Sequence, residues 1–190
     1  MLPLTALRLE AMPDERLPAG GPGRAYYEGR KGDFFLSEVT VRFDDAGQFD
    51  DAPIKLTAPS RSYGKIAVGS GNGEAKNVLD GNGSTGWSTA EREGESHQWV
   101  ANLEKPITKA GELQIEMLFE RHFVASLGRF RWSAASKSED VAAKTIPVGL
   151  ENVLARNRDT WTPDETERLK THYLTTVSYT HLTLPTICSV

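Results

Sequence analysis

Cysteine is almost absent. The chain of 190 residues holds one, Cys188, and that single thiol excludes an internal disulfide, a cysteine-built metal site and the Cys-x-x-Cys-His attachment of a c-type haem, so no haem is expected here. Long apolar runs are also missing. No stretch approaches the ~18 consecutive apolar residues of a membrane span, and the opening MLPLTALRLEAMPDE lacks the basic-then-apolar layout of a secretion signal. A basic excess is lacking as well: 22 Lys and Arg face 26 Asp and Glu for a net charge of −4, with no long basic run. Neither nucleic acid nor a membrane is therefore an expected partner. There is no Gly-x-Ser-x-Gly elbow and no phosphate-cradling loop with its lysine, and no complete enzyme site is legible. What is present, 38% apolar and 25% charged residues, fits one globular core with extensions.

Charge stops abruptly near the end. Residues 1–176 carry every Lys, Arg, Asp and Glu, whereas VSYTHLTLPTICSV, residues 177–190, has none. This tail resembles the peptide obtained when sequencing-adapter DNA is translated at the end of a truncated metagenomic reading frame. It is expected to be non-native and the chain a piece of a longer protein; the alternative is a β-prone tail that packs on the domain.

Between residues 4 and 136 the pattern is that of short strands. Period-2 alternation or β-branched and aromatic enrichment marks 4–9, 34–43, 54–56, 98–103, 113–119 and 128–134. Val39, Val41 and Phe43 are expected on one face of a half-buried antiparallel sheet and Glu38, Thr40 and Arg42 on the other; Leu113, Ile115, Met117 and Phe119 repeat the pattern. Glycine-rich loops separate the runs, at 19–23, 69–73 and 80–83. The fold class expected is all-β, a jelly-roll or Greek-key β-sandwich over 4–136. From Pro147 the period lengthens toward helix. Val148, Leu150, Val153 and Leu154 suit a short amphipathic segment, and Thr162-Pro163-Asp164-Glu165 is a capping box with proline at the first helical position, predicting a helix from about Pro163 to Leu174. Residues 137–176 thus form a helical extension that is expected to lead toward a flanking domain of the parent chain.

The chemically richest segment is Asn77 to Ser88, with Asp80, Asn82, Ser84, Thr85 and three glycines ahead of Trp87. Such a loop turns tightly enough to aim several carbonyl oxygens at one point, which suits a hard cation such as calcium. The competing reading is a pair of Asp-Gly and Asn-Gly turns with Trp87 as a core anchor. Other candidates are sparser. His97 and Trp99 follow the acidic stretch 91–95 and could rim a sugar site through stacking and hydrogen bonding, the competing reading being a solvated loop followed by Trp99 in the core. Tyr63, Tyr26 and Tyr27 on loops are further stacking candidates. Arg129 and Arg131 alternate with Phe130 and Trp132, and paired arginines can clamp a carboxylate-bearing sugar. Glu120-Arg121-His122 has no positioned partner for acid-base work.

The string Val78-Leu79-Asp80-Gly81-Asn82, with Thr85 and Trp87, resembles the hallmark of discoidin-type galactose-binding-like sandwiches, a fold of carbohydrate-binding modules and of the type C domains of coagulation factors. The resemblance implies a non-catalytic recognition module for carbohydrate, with Trp87, His97, Tyr63 and Arg129 as candidate ligand-binding residues and a structural calcium ion. In calcium-binding members the motif's Asp and Thr give side-chain oxygens, and carbonyls come from its Asn, its Thr and the residue three before the Asp. Those roles fall on Asp80, Thr85, Asn82 and Asn77. A small residue followed by Glu in the closing strand completes the set, and Ser37-Glu38 matches it. Here that strand precedes the loop, so the resemblance implies a circularly permuted sandwich, tolerable because domain termini often lie close together. The order of Leu4 to Ala11, Leu17 to Ala25, Phe35 to Glu38, Asp80-Gly81 with Thr85-Gly86-Trp87, and Gly128 to Arg131 also resembles a segment of large planctomycete proteins that carry cytochrome-c-like domains. That likeness implies a secreted or periplasmic multidomain parent, and within it the alternative function is a spacer between domains with no ligand of its own.

Overall fold

In a computed structural model the described residues are 2–26, 31–44, 52–67, 71–121 and 125–177. The tail at 178–190, Tyr27 and His122 lie outside them. Six strands form two antiparallel sheets: β1 (Leu4–Ala11), β2 (Glu38–Asp44), β3 (Leu56–Arg61), β4 (His97–Ile107), β5 (Glu112–Leu118) and β6 (Phe130–Ala135). One sheet runs β3-β4-β1-β6 and the other pairs β2 with β5. The mostly β, two-sheet architecture expected from the alternation is thus present. Helices α1 (Val148–Leu154) and α2 (Pro163–Val177) come after the strands, and the chain divides into two compact units, Met1–Thr145 and Ile146–Val190. The capping box at the head of α2 is formed as its sequence predicts, Glu165 N donating to Thr162 Oγ1 and Thr162 N donating to the Glu165 carboxylate. Among the described residues no helix is long and apolar enough to cross a membrane.

One core serves both sheets. Leu7, Leu9 and Ala11 of β1, Val39 and Val41 of β2 and Trp99, Ala101 and Leu103 of β4 are buried in it, with Ile115 and Met117 of β5 packed against them. Alternation explains the selection, since every second residue of a strand faces the same way. Trp87 and Trp99 are the largest wholly buried side chains. Phe34 meets Trp87 edge-on at 5.1 Å, and Trp132 meets Trp99 edge-on at 6.4 Å. The Trp87 and Trp99 indole N–H groups each donate to a main-chain carbonyl, that of Tyr63 and that of Ala75 respectively.

Strand β4 is buried on both faces from His97 to Leu103. Its outward residues Gln98, Val100 and Asn102 are covered where residues 140–144 lie across the outer face of the four-stranded sheet. The lengthening period from Pro147 does mark α1 and α2, but residues 137–145, expected to open the helical extension, are neither helix nor strand.

Leu9 is fully buried between the sheets, whereas Leu118 is substantially exposed at the end of β5. Urea denaturation is expected to show Leu9→Ala destabilised by about 2–5 kcal/mol, and Leu118→Ala to lie within about 0.5 kcal/mol of the parent. Similar losses for the two would contradict the strand alternation.

Candidate functional site

The Asp80 loop grows from a short helical turn, Ala75–Leu79, that ends on Asp80. Gly81 then takes φ of +73°, a left-handed conformation that reverses the chain at little steric cost only for glycine. Two Asx turns shape the next residues: Asn82 N donates to Asp80 Oδ1 at 2.9 Å, and Ser84 N to Asn82 Oδ1 at 3.1 Å. At Gly86 any Cβ would stand 2.4 Å from the Leu36 carbonyl oxygen, so the loop's exit can lie against the chain entering β2 only with glycine there. Trp87 and Leu36 then exchange both backbone hydrogen bonds at 2.9 Å. This clasp places Ser37 and Glu38 beside the loop.

Oxygen atoms converge on the Thr85 hydroxyl. Its Oγ1 lies 2.8 Å and 2.9 Å from the two Asp80 carboxylate oxygens, 2.8 Å from the Asn82 carbonyl and 3.5 Å from the Asn77 carbonyl. One hydroxyl proton cannot serve four acceptors. Glu38 adds a second carboxylate against Asp80. Its carboxyl is held above the usual range by loss of solvent and by the Asp80 carboxylate next to it, with the Asn82 and Gly81 amides partly offsetting the rise. Glu38 Oε1 is sealed from solvent and accepts no hydrogen bond from the described residues. Ser37 is wholly buried, donating its amide to the Leu118 carbonyl and accepting the Glu120 amide at Oγ. Arg121 donates to the Ser84 carbonyl at 2.6 Å while its guanidinium lies over the Phe35 ring, fastening the far side of the loop. Sequence reasoning misses Arg121 as a loop clamp; its place just beyond the β5 alternation is the only hint.

Asp80, Thr85, Asn82, Asn77 and Glu38 are therefore brought together, and Ser37 adjoins them. Among the described residues no group of three or more His, Cys, Asp or Glu side chains gathers to hold a metal. The donor set here is of another kind: two carboxylates, a hydroxyl and main-chain carbonyls, with more acceptors than protons. That set fits a hard oxygen-seeking cation such as calcium and not a soft or imidazole-seeking metal.

The four candidate ligand-binding residues occupy different surroundings. Trp87 is 0% exposed and presents no ring face to solvent. His97 is 5% exposed, its ring 5.0 Å from that of Tyr63 and its Nδ1 3.5 Å from Ser62 Oγ. Tyr63 is half-buried, donates its hydroxyl to the Ala90 carbonyl, and has the Arg92 guanidinium 4.5 Å above its ring. Arg129 stands apart, exposed, donating to the Pro13 carbonyl and 3.5 Å from the Asp14 carboxylate. Its companion Arg131 makes a bidentate pair with buried Glu10, so the two arginines do not act as one clamp. Tyr26 is 71% exposed, with the Lys31 ammonium near its ring.

Burial holds the His97 imidazole below its ordinary 6.5, opposed by the Glu95 carboxylate 4.0 Å from Nε2 and the Arg92 carbonyl, and assisted by the Arg92 charge. Ser62 and Tyr63 on the preceding loop present no charge to it. The unfolded chain takes up a proton at His97 near pH 6.5 and the folded chain only at lower pH, so the unfolded state binds more protons in that window. Folding stability is expected to be fully present above pH 6.5 and to fall as the pH drops below it, by at most about 1.4 kcal/mol per pH unit from this group. Urea midpoints measured between pH 7.5 and 5.5 should show the slope, and His97→Gln should flatten it. The same slope in both proteins would remove His97 as its source.

The chain matches no protein-family model, no curated protein and no solved structure, so the functional reading rests on these residues and their geometry.

Proposed function

We propose that residues 4–136 form a galactose-binding-like, circularly permuted jelly-roll sandwich that serves as a non-catalytic recognition module for carbohydrate in a larger secreted or periplasmic protein, its loops stiffened by a structural calcium ion. The observation that supports this reading above the others is the crowding of Asp80, Thr85 and the Asn77 and Asn82 carbonyls around one point, with the Glu38 carboxylate pressed against Asp80. Those residues, with Ser37 at the rim, would hold the ion. When bound, the ion neutralises two carboxylates that otherwise repel each other and cross-links β2 to the loop. The ring of Tyr63, with Arg92 over it, offers the loop end a half-exposed surface of the kind that packs on a sugar face, while Trp87 and His97 would act only by holding that segment in place.

A second reading, a spacer with no ligand of its own, draws on a specific observation. Trp87 and His97 are buried and the Tyr63 ring is already engaged by His97 and Arg92. A glycan array separates the two. Saturable binding that Tyr63→Ala abolishes in a protein of unchanged melting temperature supports recognition, and the absence of binding to any polysaccharide supports the spacer.

Calcium binding has its own test in thermal melting. An ion that binds the folded state alone stabilises it by about 2.7 kcal/mol at a hundred times its dissociation constant. The melting temperature is expected to rise with calcium and to fall back with chelator, and Asp80→Ala should erase the rise. Glu38→Gln makes a sharper case. Because the folded state raises the Glu38 pKa, ionised Glu38 costs stability at neutral pH. The amide should therefore raise the melting temperature in chelator while losing the response to calcium. Unchanged melting in both media for the parent would dispose of the ion.

A further inference from the structure

The outer face of the sheet β3-β4-β1-β6 carries polar side chains that strand alternation would ordinarily leave to water, yet Gln98, Asn102 and Glu10 are buried there beside Ala6 and Val100. Asn102 and Gln98 face residues 137–145, and the contacts are of one kind. Asn102 makes a two-way amide pair with the main chain of Val141, donating from Nδ2 to the carbonyl at 3.0 Å and accepting the amide at Oδ1 at 2.8 Å. Gln98 Nε2 donates to the Lys144 carbonyl at 2.9 Å, and Ser60 Oγ accepts the Ala143 amide at 2.8 Å. Thr5 Oγ1 accepts the Lys137 amide at 2.9 Å. In every one of these bonds a side chain of the sheet reads a backbone group of the segment. Val141 lies over Asn102 and Lys144 over Gln98, so the segment runs antiparallel to β4. Val141 and Ala143 are half-buried toward the sheet and Asp140, Ala142 and Lys144 are exposed, the alternation of an extended chain. Beside Val141 is a cavity of about 150 Å3 lined by Ala6, Arg8, Val100, Ser133 and Ala135.

We infer that this outer face is a receptor for an extended peptide, read through its main chain by Asn102, Gln98 and Ser60, and that residues 140–144 are a displaceable occupant of it. Main-chain reading makes the site tolerant of sequence, as in strand-addition recognition, while the alternate side chains supply what selectivity there is. The partner that fits best is an extended protein segment with a small residue at the position of Ala143 and an apolar side chain larger than valine at that of Val141, where the cavity has room. A side chain one methylene longer removes further apolar surface from water there.

The test uses the full chain and a fluorescent peptide of residues Lys137–Thr145. Replacing Val141→Pro and Ala143→Pro removes the two amides of residues 140–144 that the face accepts, which weakens the occupant and leaves the receptor intact. The peptide is expected to bind this double variant saturably and one to one, at least about tenfold more tightly than the parent, whose own segment competes. Adding Asn102→Ala should abolish the binding. A peptide carrying Val141→Leu should bind about three- to tenfold more tightly than the native one; equal or weaker binding removes the cavity as an anchor. A folded double variant that binds no peptide overturns the receptor. Hydrogen exchange on the parent decides the matter even where that variant fails to fold. The amides of Val141 and Ala143 should exchange at least about tenfold faster than those of the β1–β4 ladder, through an opening of the segment alone. Equal protection would mean that the segment leaves only when the whole domain unfolds, and the inference fails.

Discussion

Two backbone hydrogen bonds between Leu36 and Trp87 hold the candidate site to the core. They join the chain entering β2 to the exit of the Asp80 loop, fifty-one positions apart in sequence, and everything near them depends on that junction. Trp87 is drawn into the core, where Phe34 meets it edge-on and the Tyr63 carbonyl takes its indole proton. Glu38, two residues past Leu36, is carried against Asp80. A single constraint thus serves packing and electrostatics together: the same short bridge that buries a large aromatic sets two carboxylates side by side. The energy of that burial, on the order of a few kcal/mol for a wholly buried aromatic side chain, is what lets the fold tolerate the charge repulsion beside it.

The repulsion itself carries meaning. Carboxylates that share a site normally separate, find cations, or take a proton, and the Glu38 carboxyl is shifted in the direction that the third course requires. Two loop amides, those of Gly81 and Asn82, lean the other way but do not cancel it. Arg121 is near and is committed to the Ser84 carbonyl and the Phe35 ring. The loop therefore gathers carboxylates and carbonyl oxygens around Thr85 while its nearby cation is engaged elsewhere, which is the arrangement that supports the proposed ion over a simple turn.

How much of this is legible in the sequence depends on range. Strands whose inward residues alternate, such as Leu113, Ile115 and Met117, can be read locally because period 2 is a local property, and the capping box at Thr162 and Glu165 is local too. The Asp80 loop is visible for the same reason: its Asp, Asn, Thr and glycines lie within a few positions. Composition does not show that Trp87 and His97 are buried beyond reach of a ligand, because an aromatic near a polar loop is compatible with either face. The place of Glu38 is reachable only through resemblance, since nothing in residues 34–43 distinguishes a partner for a loop more than forty positions away. Residues 137–145 are illegible for a different reason. Ser-Glu-Asp-Val-Ala-Ala-Lys has no strong period and groups with the helices that follow it, while its binding determinants, Gln98 and Asn102, belong to a distant strand and recognise backbone, which has no sequence signature.

Strand β4 links the loop end of the sandwich to its covered outer face. Its inward residues Trp99, Ala101 and Leu103 build the core, while its outward residues hold the extended segment, and its first residue His97 packs on Tyr63, whose carbonyl anchors Trp87 at the exit of the Asp80 loop. Buried polar side chains such as Gln98 and Asn102 are costly unless satisfied, and here the satisfaction comes from a segment whose own residues remain largely exposed. Lifting that segment returns the polar groups to water, which can hydrogen-bond them, so the cost of opening is far smaller than for an apolar face of the same size. A polar, backbone-reading surface can thus have its hydrogen bonds met in both conditions, covered and wet. That is the physical property that distinguishes a surface built to exchange its occupant from one built only to be buried.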